Sequence, residues 1–259
     1  MNNQDYISKI ILETSSHGTR RTDRDGEILR NLPEHLREEF NEQERYFHRW
    51  EQPTVIGESG GKLTEVRITA IKSRMSANND ALFILIIGGN DLGEGKKSLK
   101  YELIASVPCE CRFQEKGKNY LIKNHFIFKM SYFCDSSSYF IGQPNLGYVT
   151  RVKELIEFVI ELNAAGHRIH LAIGSLIPRP RSGASIDYMF RYTDQLIKSY
   201  TQESSGHCSF LDLSRLLRLR DGTIRTERFY DGVHINLATS RLLAEWIRKF
   251  IARIPRHKY

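Results

Sequence analysis

Short apolar runs alternate along this chain with stretches whose apolar residues recur at helical spacing, and the clear runs empty into loops of small polar residues. Ala81 to Ile87 is the strongest run. It is far shorter than the roughly 20 residues of a membrane-spanning helix, so it reads as a buried strand, and it ends in Gly88-Gly89-Asn90-Asp91. Tyr6 to Leu12 reads as a strand delivering Glu13-Thr14-Ser15-Ser16-His17-Gly18, and Thr54-Val55-Ile56 enters Gly57-Glu58-Ser59-Gly60-Gly61. Ile169 to Ile173 and Phe210-Leu211-Asp212-Leu213 are two further strands.

Helical spacing fills the gaps. Leu36, Phe40, Phe47 and Trp50 predict an amphipathic helix from Pro33 to about Trp50, with Pro33 in its first turn and Pro53 beyond its end. A helix is expected from Leu63 into the Met75 region. Val152, Leu155, Ile156, Val159 and Leu162 share one face of another, with Gly166 as its C-cap. Ile186 to Tyr200 is a fourth, and Leu243, Trp246, Ile247, Phe250, Ile251 and Ile254 mark a closing helix. Strands alternating with helices imply an α/β fold: a three-layer α/β/α sandwich, flavodoxin-like, around a parallel sheet of about five strands. Ligands of such sheets bind beyond the carboxyl ends of the strands, which is where the Ser16, Gly61, Asn90 and Asp231–His234 loops are expected to meet.

From Leu92 to about Gly147 the alternation gives way to aromatic and β-branched stretches. This segment, about 92–147, reads as an insertion in a single domain spanning 1–259, placed to act as a lid or substrate wall. Its aromatics Tyr120, Phe126, Phe128, Tyr132 and Phe133 could line an apolar acyl pocket or form a small core of the insertion, and the core is the expectation. Its Cys109, Cys111, His125 and Cys134 match no common zinc-finger spacing, so reduced cysteines, and no metal, are the expectation.

With 259 residues the chain can bury a core without disulfide or metal staples. The start Met1-Asn2-Asn3-Gln4-Asp5 lacks the basic and apolar regions of a signal peptide, so an intracellular setting, cytoplasmic or nuclear, is expected. The net charge of +7 favours anionic partners. Arg20, Arg21 and Arg24, with Arg179 and Arg181, are expected near the rim and could hold an anionic headgroup or a nucleic-acid backbone. A third group, Arg215, Arg218 and Arg220, lies elsewhere in sequence. No nucleic-acid-binding motif accompanies them.

The rim loops hold the parts of an acyl-transfer site. Ser16 could attack, His234 take its proton, Asp231 orient the imidazole, and the Asn90 amide with the Gly61 N–H bind the oxyanion. Asp231 and His234 are three residues apart, so a turn brings both to one side. A competing nucleophile is Ser59, because Gly57-Glu58-Ser59-Gly60-Gly61 matches Gly-x-Ser-x-Gly; too few strands precede it for a nucleophile elbow.

These blocks, in this order, resemble the SGNH or GDSL-type serine hydrolases. Gly88-Gly89-Asn90-Asp91 is similar to the family's Gly-x-Asn-Asp, and Asp231-Gly232-Val233-His234 to its closing Asp-x-x-His. The Gly60-Gly61 pair and Asp221-Gly222-Thr223-Ile224 resemble the platelet-activating-factor acetylhydrolase branch, and Ser175-Leu176-Ile177-Pro178-Arg179 fits the loop after the fourth strand. The first block, Thr14-Ser15-Ser16, keeps the serine but neither the Gly nor the Asp of Gly-Asp-Ser; Ser15 is the substitute if the register slips by one. The resemblance implies a serine esterase or acetylhydrolase that needs no cofactor and acts on a small acyl ester. The alternative is a catalytically silent domain of this type that binds RNA or a protein partner.

Overall fold

A computed structural model of the chain describes residues 9–41, 52–93, 100–115, 118–131, 137–141 and 146–254, with side chains described outside 92–146 and 183–185. Five parallel strands form the central sheet: β1 (Lys9–Thr14), β4 (Thr54–Gly57), β5 (Asp80–Ile86), β9 (Arg168–Gly174) and β10 (Cys208–Leu211), in the order β10-β9-β5-β1-β4. The sheet grows outward in both directions from β1, so its switch point lies between β1 and β5, where the loops after the two strands diverge.

Side-chain alternation divides the core between two faces. Ile11, Phe83, Leu85, Leu171 and Ile173 point to one side, where α2 (Glu65–Ser76), α4 (Leu146–Ala164) and α5 (Gly183–Gln202) cover them. Ile10, Leu12, Leu82, Ile84 and Ile86 point to the other, beneath α1 (Leu32–Asn41) and α7 (Leu237–Ile251). The α/β/α sandwich is therefore as the sequence predicts.

Boundaries differ where polar groups decide them. The first strand runs on through Glu13 and Thr14, beyond the apolar run, because both are buried and Glu13 is held by Arg67 and Arg74 of α2. The helix expected from Leu63 starts at Glu65, since the Thr64 side chain accepts the Arg67 N–H as an N-cap. The Phe210–Leu213 strand shifts to Cys208–Leu211; Leu213 instead opens α6 (Ser214–Leu217). Of the Pro33–Trp50 helix, the part from 42 onward lies outside the described residues.

Two elements had no signal in the apolar pattern. A hairpin of β2 (Arg21–Thr22) and β3 (Ile28–Arg30) follows the Ser16 loop directly. After α3 (Gly89–Gly93), the expected insertion contains a three-stranded antiparallel sheet of β6 (Lys100–Glu115), β7 (Lys118–Ser131) and β8 (Ser137–Ile141). Cys109 and Cys111 fall on β6 and His125 on β7, opposite Val107; Tyr120, Phe126 and Phe128 also fall on β7, while Tyr132, Phe133 and Cys134 lie outside the described residues. No helix among the described residues is long and apolar enough to cross a membrane.

Candidate active site

Three loops leave the carboxyl ends of neighbouring strands: Ser15–Gly18 after β1, Glu58–Gly61 after β4 and Gly88–Asp91 after β5. They are tied to one another. The Glu58 N–H donates to Thr14 O at 3.2 Å, and the Asp91 carboxylate accepts the Leu63 N–H at 3.1 and 3.2 Å. Gly88 has φ +120° and no room for a side chain: a Cβ there would lie 2.4 Å from the Tyr148 ring.

Ser16 opens a 3-10 turn, Ser16–Gly18, in which the Thr19 N–H and hydroxyl both donate to Ser16 O, at 3.2 and 2.7 Å. Ser15 instead continues the sheet, its N–H donating to Ile86 O of β5. The turn is pinned from outside. Arg30 of β3, only 2% exposed, donates from Nε to Thr19 O and from Nη2 to Thr19 Oγ1, at 3.1 and 3.0 Å. From the other side Arg67 donates to Thr14 O at 2.8 Å and reaches Glu58 at 3.0 Å and Glu13 at 3.5 Å. Gly18 packs so closely on Thr14 that a Cβ would fall 1.8 Å from Thr14 Cγ2.

Asp231 and His234 organise themselves. One Asp231 oxygen accepts the N–H groups of Val233 and His234 at 2.9 and 2.7 Å, and the other meets His234 Nδ1 at 2.7 Å. Because the carboxylate accepts, Nδ1 carries the proton and Nε2 is left as the basic nitrogen. The His234 ring lies between Tyr230, stacked at 5.7 Å, and His17, tilted at 5.6 Å between centroids. The base thus sits beside the residue that follows Ser16. Among the described residues no hydrogen bond joins Ser16 Oγ to His234.

Electrostatics suit a neutral base beside a charged acid. Burial pushes the His234 imidazole below its ordinary value, and Arg30 and Arg21 add to this against the pull of Asp231. Burial also holds His17 well below the usual range, reinforced by His234, Arg30 and Arg179. For Asp231, burial works to raise the carboxyl, but its hydrogen bonds from His234 and Val233 together outweigh that and bring it to about 2.

Asn90 is oriented by a cation. Arg179 donates to Asn90 Oδ1 and can only donate, so the amide nitrogen faces the opposite way, where Nδ2 gives one hydrogen to Gly61 O at 3.2 Å. Its second hydrogen is uncommitted in this bond. Gly61 differs from expectation. Its N–H closes a turn on Glu58 O at 3.0 Å, so that donor is engaged, and Gly61 joins the site through its carbonyl instead.

Of the basic residues expected at the rim, Arg179 reaches the site, whereas Arg20 and Arg21 are exposed on the hairpin, with the Arg21 charge still felt at His234. Arg218 is buried in an ion pair with Asp187, away from any ligand role. Ser59 is exposed on its turn and, among the described residues, has no histidine bonded to it; the elbow reading has no base to work with. His17, Thr19, Arg30 and Tyr230 were missed by the motif reading. The described residues contain no cluster of three or more His, Cys, Asp or Glu side chains that could hold a metal ion.

No protein-family model matches the sequence, and no relative is found among curated proteins. Solved structures do match. A member of the lipolytic G-D-S-L family from Veillonella parvula superimposes with a TM-score of 0.56 at 16% identity, covering 95% of this chain and 99% of that one. The lipase/acylhydrolase from Enterococcus faecalis gives 0.53 at 12%, covering 97% and 100%, and a GDSL-like lipase from Bacteroides thetaiotaomicron 0.52 at 11%, covering 95% and 88%. The fold is that of the SGNH hydrolases. Identities this low carry the fold, and the chemistry has to be argued from the residues.

Proposed function

We propose that this chain is a serine hydrolase of SGNH type, cleaving a small acyl or acetyl ester through an acyl-enzyme with Ser16 as nucleophile, His234 as base and Asp231 as its orienting acid. The observation that carries the reading is the His234–Asp231 bond of 2.7 Å, which leaves Nε2 basic in a ring lying against the residue next to Ser16. His234 Nε2 takes the Ser16 hydroxyl proton as Oγ bonds to the ester carbonyl carbon. The tetrahedral oxyanion collapses, the alkoxide leaves with that proton from His234, and the acyl group stays on Ser16. Water, deprotonated by His234, then attacks the acyl carbon and releases the acid and the free serine.

The oxyanion needs donors already aimed at it. Asn90 Nδ2 supplies one, held by Arg179. The Ser16 N–H at the start of the 3-10 turn supplies another, since the first N–H of such a turn has no partner within it. Gly61, whose N–H is engaged by Glu58 O, contributes through its carbonyl, which holds the Asn90 amide. We further infer a single domain in which the 92–147 insertion, leaving the rim directly after Asn90, bounds the acyl or alcohol side of the substrate.

A fluorophosphonate probe, which bonds covalently only to an activated serine, tests the proposal when the adduct is located by peptide mass spectrometry. Labelling at Ser16, lost in Ser16→Ala and kept in Ser59→Ala, is the expected result. Folded protein that takes no label and hydrolyses no acetyl or short-chain aryl ester would overturn it in favour of a silent binding domain.

A further inference from the structure

A cavity of about 240 Å³ lies between α6, the 3-10 turn Thr226–Arg228 and α7. Arg215, Arg225, Arg228, Lys249, Glu245 and Trp246 line it with two leucines. Four cations against one carboxylate leave a balance of +3 (4 − 1), and that carboxylate is already taken: Glu245 is hydrogen-bonded to Lys249 one helical turn along α7.

The three guanidiniums are incompletely used. Arg225 spends Nε on Arg218 O at 3.1 Å and stands 3.7 Å from the exposed Glu227. Arg215 is exposed and, among the described residues, has no acidic partner. Arg228 has no acidic partner there either, and its Nε–H is shut away from water without an acceptor. Trp246 is fixed by its own Nε1–H, which donates to Asp212 O at 3.1 Å, so the indole presents a preset apolar wall beside the arginines.

We propose that this cavity is a phosphate site, its occupant a small phosphomonoester or free phosphate. The chemistry follows from the lining. Planar guanidinium forks match tetrahedral oxyanions with several acceptor oxygens, and three arginines lining one space favour a dianion over a carboxylate. Trp246 with Leu216 and Leu242 accommodates a compact ring on the ester. The site is independent of the hydrolase reading, because none of Ser16, Asn90, Asp231 and His234 lines the cavity; Arg228 O accepts the Asn236 N–H beside the Phe229–Ile235 bridge.

Titration calorimetry of the full chain with AMP, inorganic phosphate and adenosine at low salt tests this, run alongside Ser16→Ala protein. Saturable binding of AMP or phosphate at one site is expected, weakening as salt rises, absent for adenosine and unchanged in Ser16→Ala. AMP tenfold tighter than phosphate would assign the site to an ester; equal affinities would assign it to free phosphate. Arg228→Ala should weaken binding at least tenfold. Arg215→Glu, at an exposed position, should do the same without disturbing the fold, as checked by an unchanged melting temperature in the absence of ligand. No saturable binding of either anion overturns the proposal, as does binding that survives both variants. Binding only to an RNA oligomer, with no affinity for AMP or phosphate, overturns it equally.

Discussion

The two halves of the candidate site are built by opposite means. Asp231 and His234 are three residues apart, and the bonds of the Asp231 carboxylate that shape the pair span two or three residues, while one backbone tie from afar, the Arg181 N–H on Gly232 O at 3.2 Å, holds the loop between them. The Ser16 turn makes its own short bonds too, but it is fixed in place by Arg30, eleven residues beyond Thr19, and by Arg67, which reaches Thr14 across 53 residues. A motif whose geometry is self-contained can be moved or read without its surroundings. One that is held by distant side chains loses its signature when those partners are different ones. In this chain the serine block has no Gly-Asp pair, and Arg30 and Arg67 anchor the segment from Thr14 to Thr19 on either side of Ser16.

The comparison breaks most readily on the self-contained side. Asp231→Asn keeps the shape of the side chain but removes the charge that fixes the Nδ1–H tautomer, and esterase activity measured at pH 7 should fall by about 10⁴-fold. A fall no greater than tenfold would mean that His234 is oriented by its ring contacts with His17 and Tyr230. Asn90→Ala removes one oxyanion donor and should cost about 10²- to 10³-fold in kcat with little change in KM. Arg179→Met, which frees the Asn90 amide to rotate without deleting it, should fall in the same direction by a smaller factor in the same assay.

On the long-range side, Arg30→Met keeps much of the stem but removes both donors, the one to Thr19 O and the one to Thr19 Oγ1. About 1–3 kcal/mol of stability is at stake for the group left unpaired, read as a lower melting temperature. Loss of register at Ser16 should lower kcat by roughly tenfold, a 1.4 kcal/mol effect on the barrier, and slow fluorophosphonate labelling in proportion. A variant that melts lower yet labels at the normal rate would show that Arg30 supports the hairpin alone and that the turn positions its serine unaided.

How much of this was legible follows the same divide. The sheet was readable because Ile10, Leu12, Leu82, Ile84 and Ile86 alternate with Ile11, Phe83 and Leu85, a pattern that burial on both faces imposes directly on sequence. Asp231 and His234 could be paired from the sequence because their short motif carries its own bonding, whereas Asn90 is oriented by Gly61 O and Arg179, 29 and 89 residues away. The β2–β3 hairpin was not, since strands of two and three residues leave no period to detect. Arg30 and Glu13 were invisible for another reason: buried charges look like surface charges until their partners are placed. The engagement of Gly61 N–H with Glu58 O is a matter of one peptide's orientation, below anything composition records.

Protonation gives the finest test of the contrast, because both sides of the site contain a histidine and only one is proposed to react. His17 and His234 have folded-state values below that of a free imidazole, so between those values and about 6.5 the unfolded chain binds more protons than the native one. Stability therefore falls as pH is lowered from 7.5 through 6.5, and continues to fall until the native imidazoles themselves take up protons. His17, held lower by burial and by Arg30, Arg179 and His234, keeps this window open further into acid. His17→Phe should flatten the fall in melting temperature between pH 6.5 and 5, and it removes a buried Nδ1 that has no partner. The activity profile should behave differently. If His234 is the base, kcat/KM rises through a value below 6.5 and then holds level, in wild type and in His17→Phe alike, while Asp231 stays ionised throughout. An acid limb that vanishes with His17→Phe would transfer the titrating role to the nucleophile side and dissolve the division of labour between the two loops.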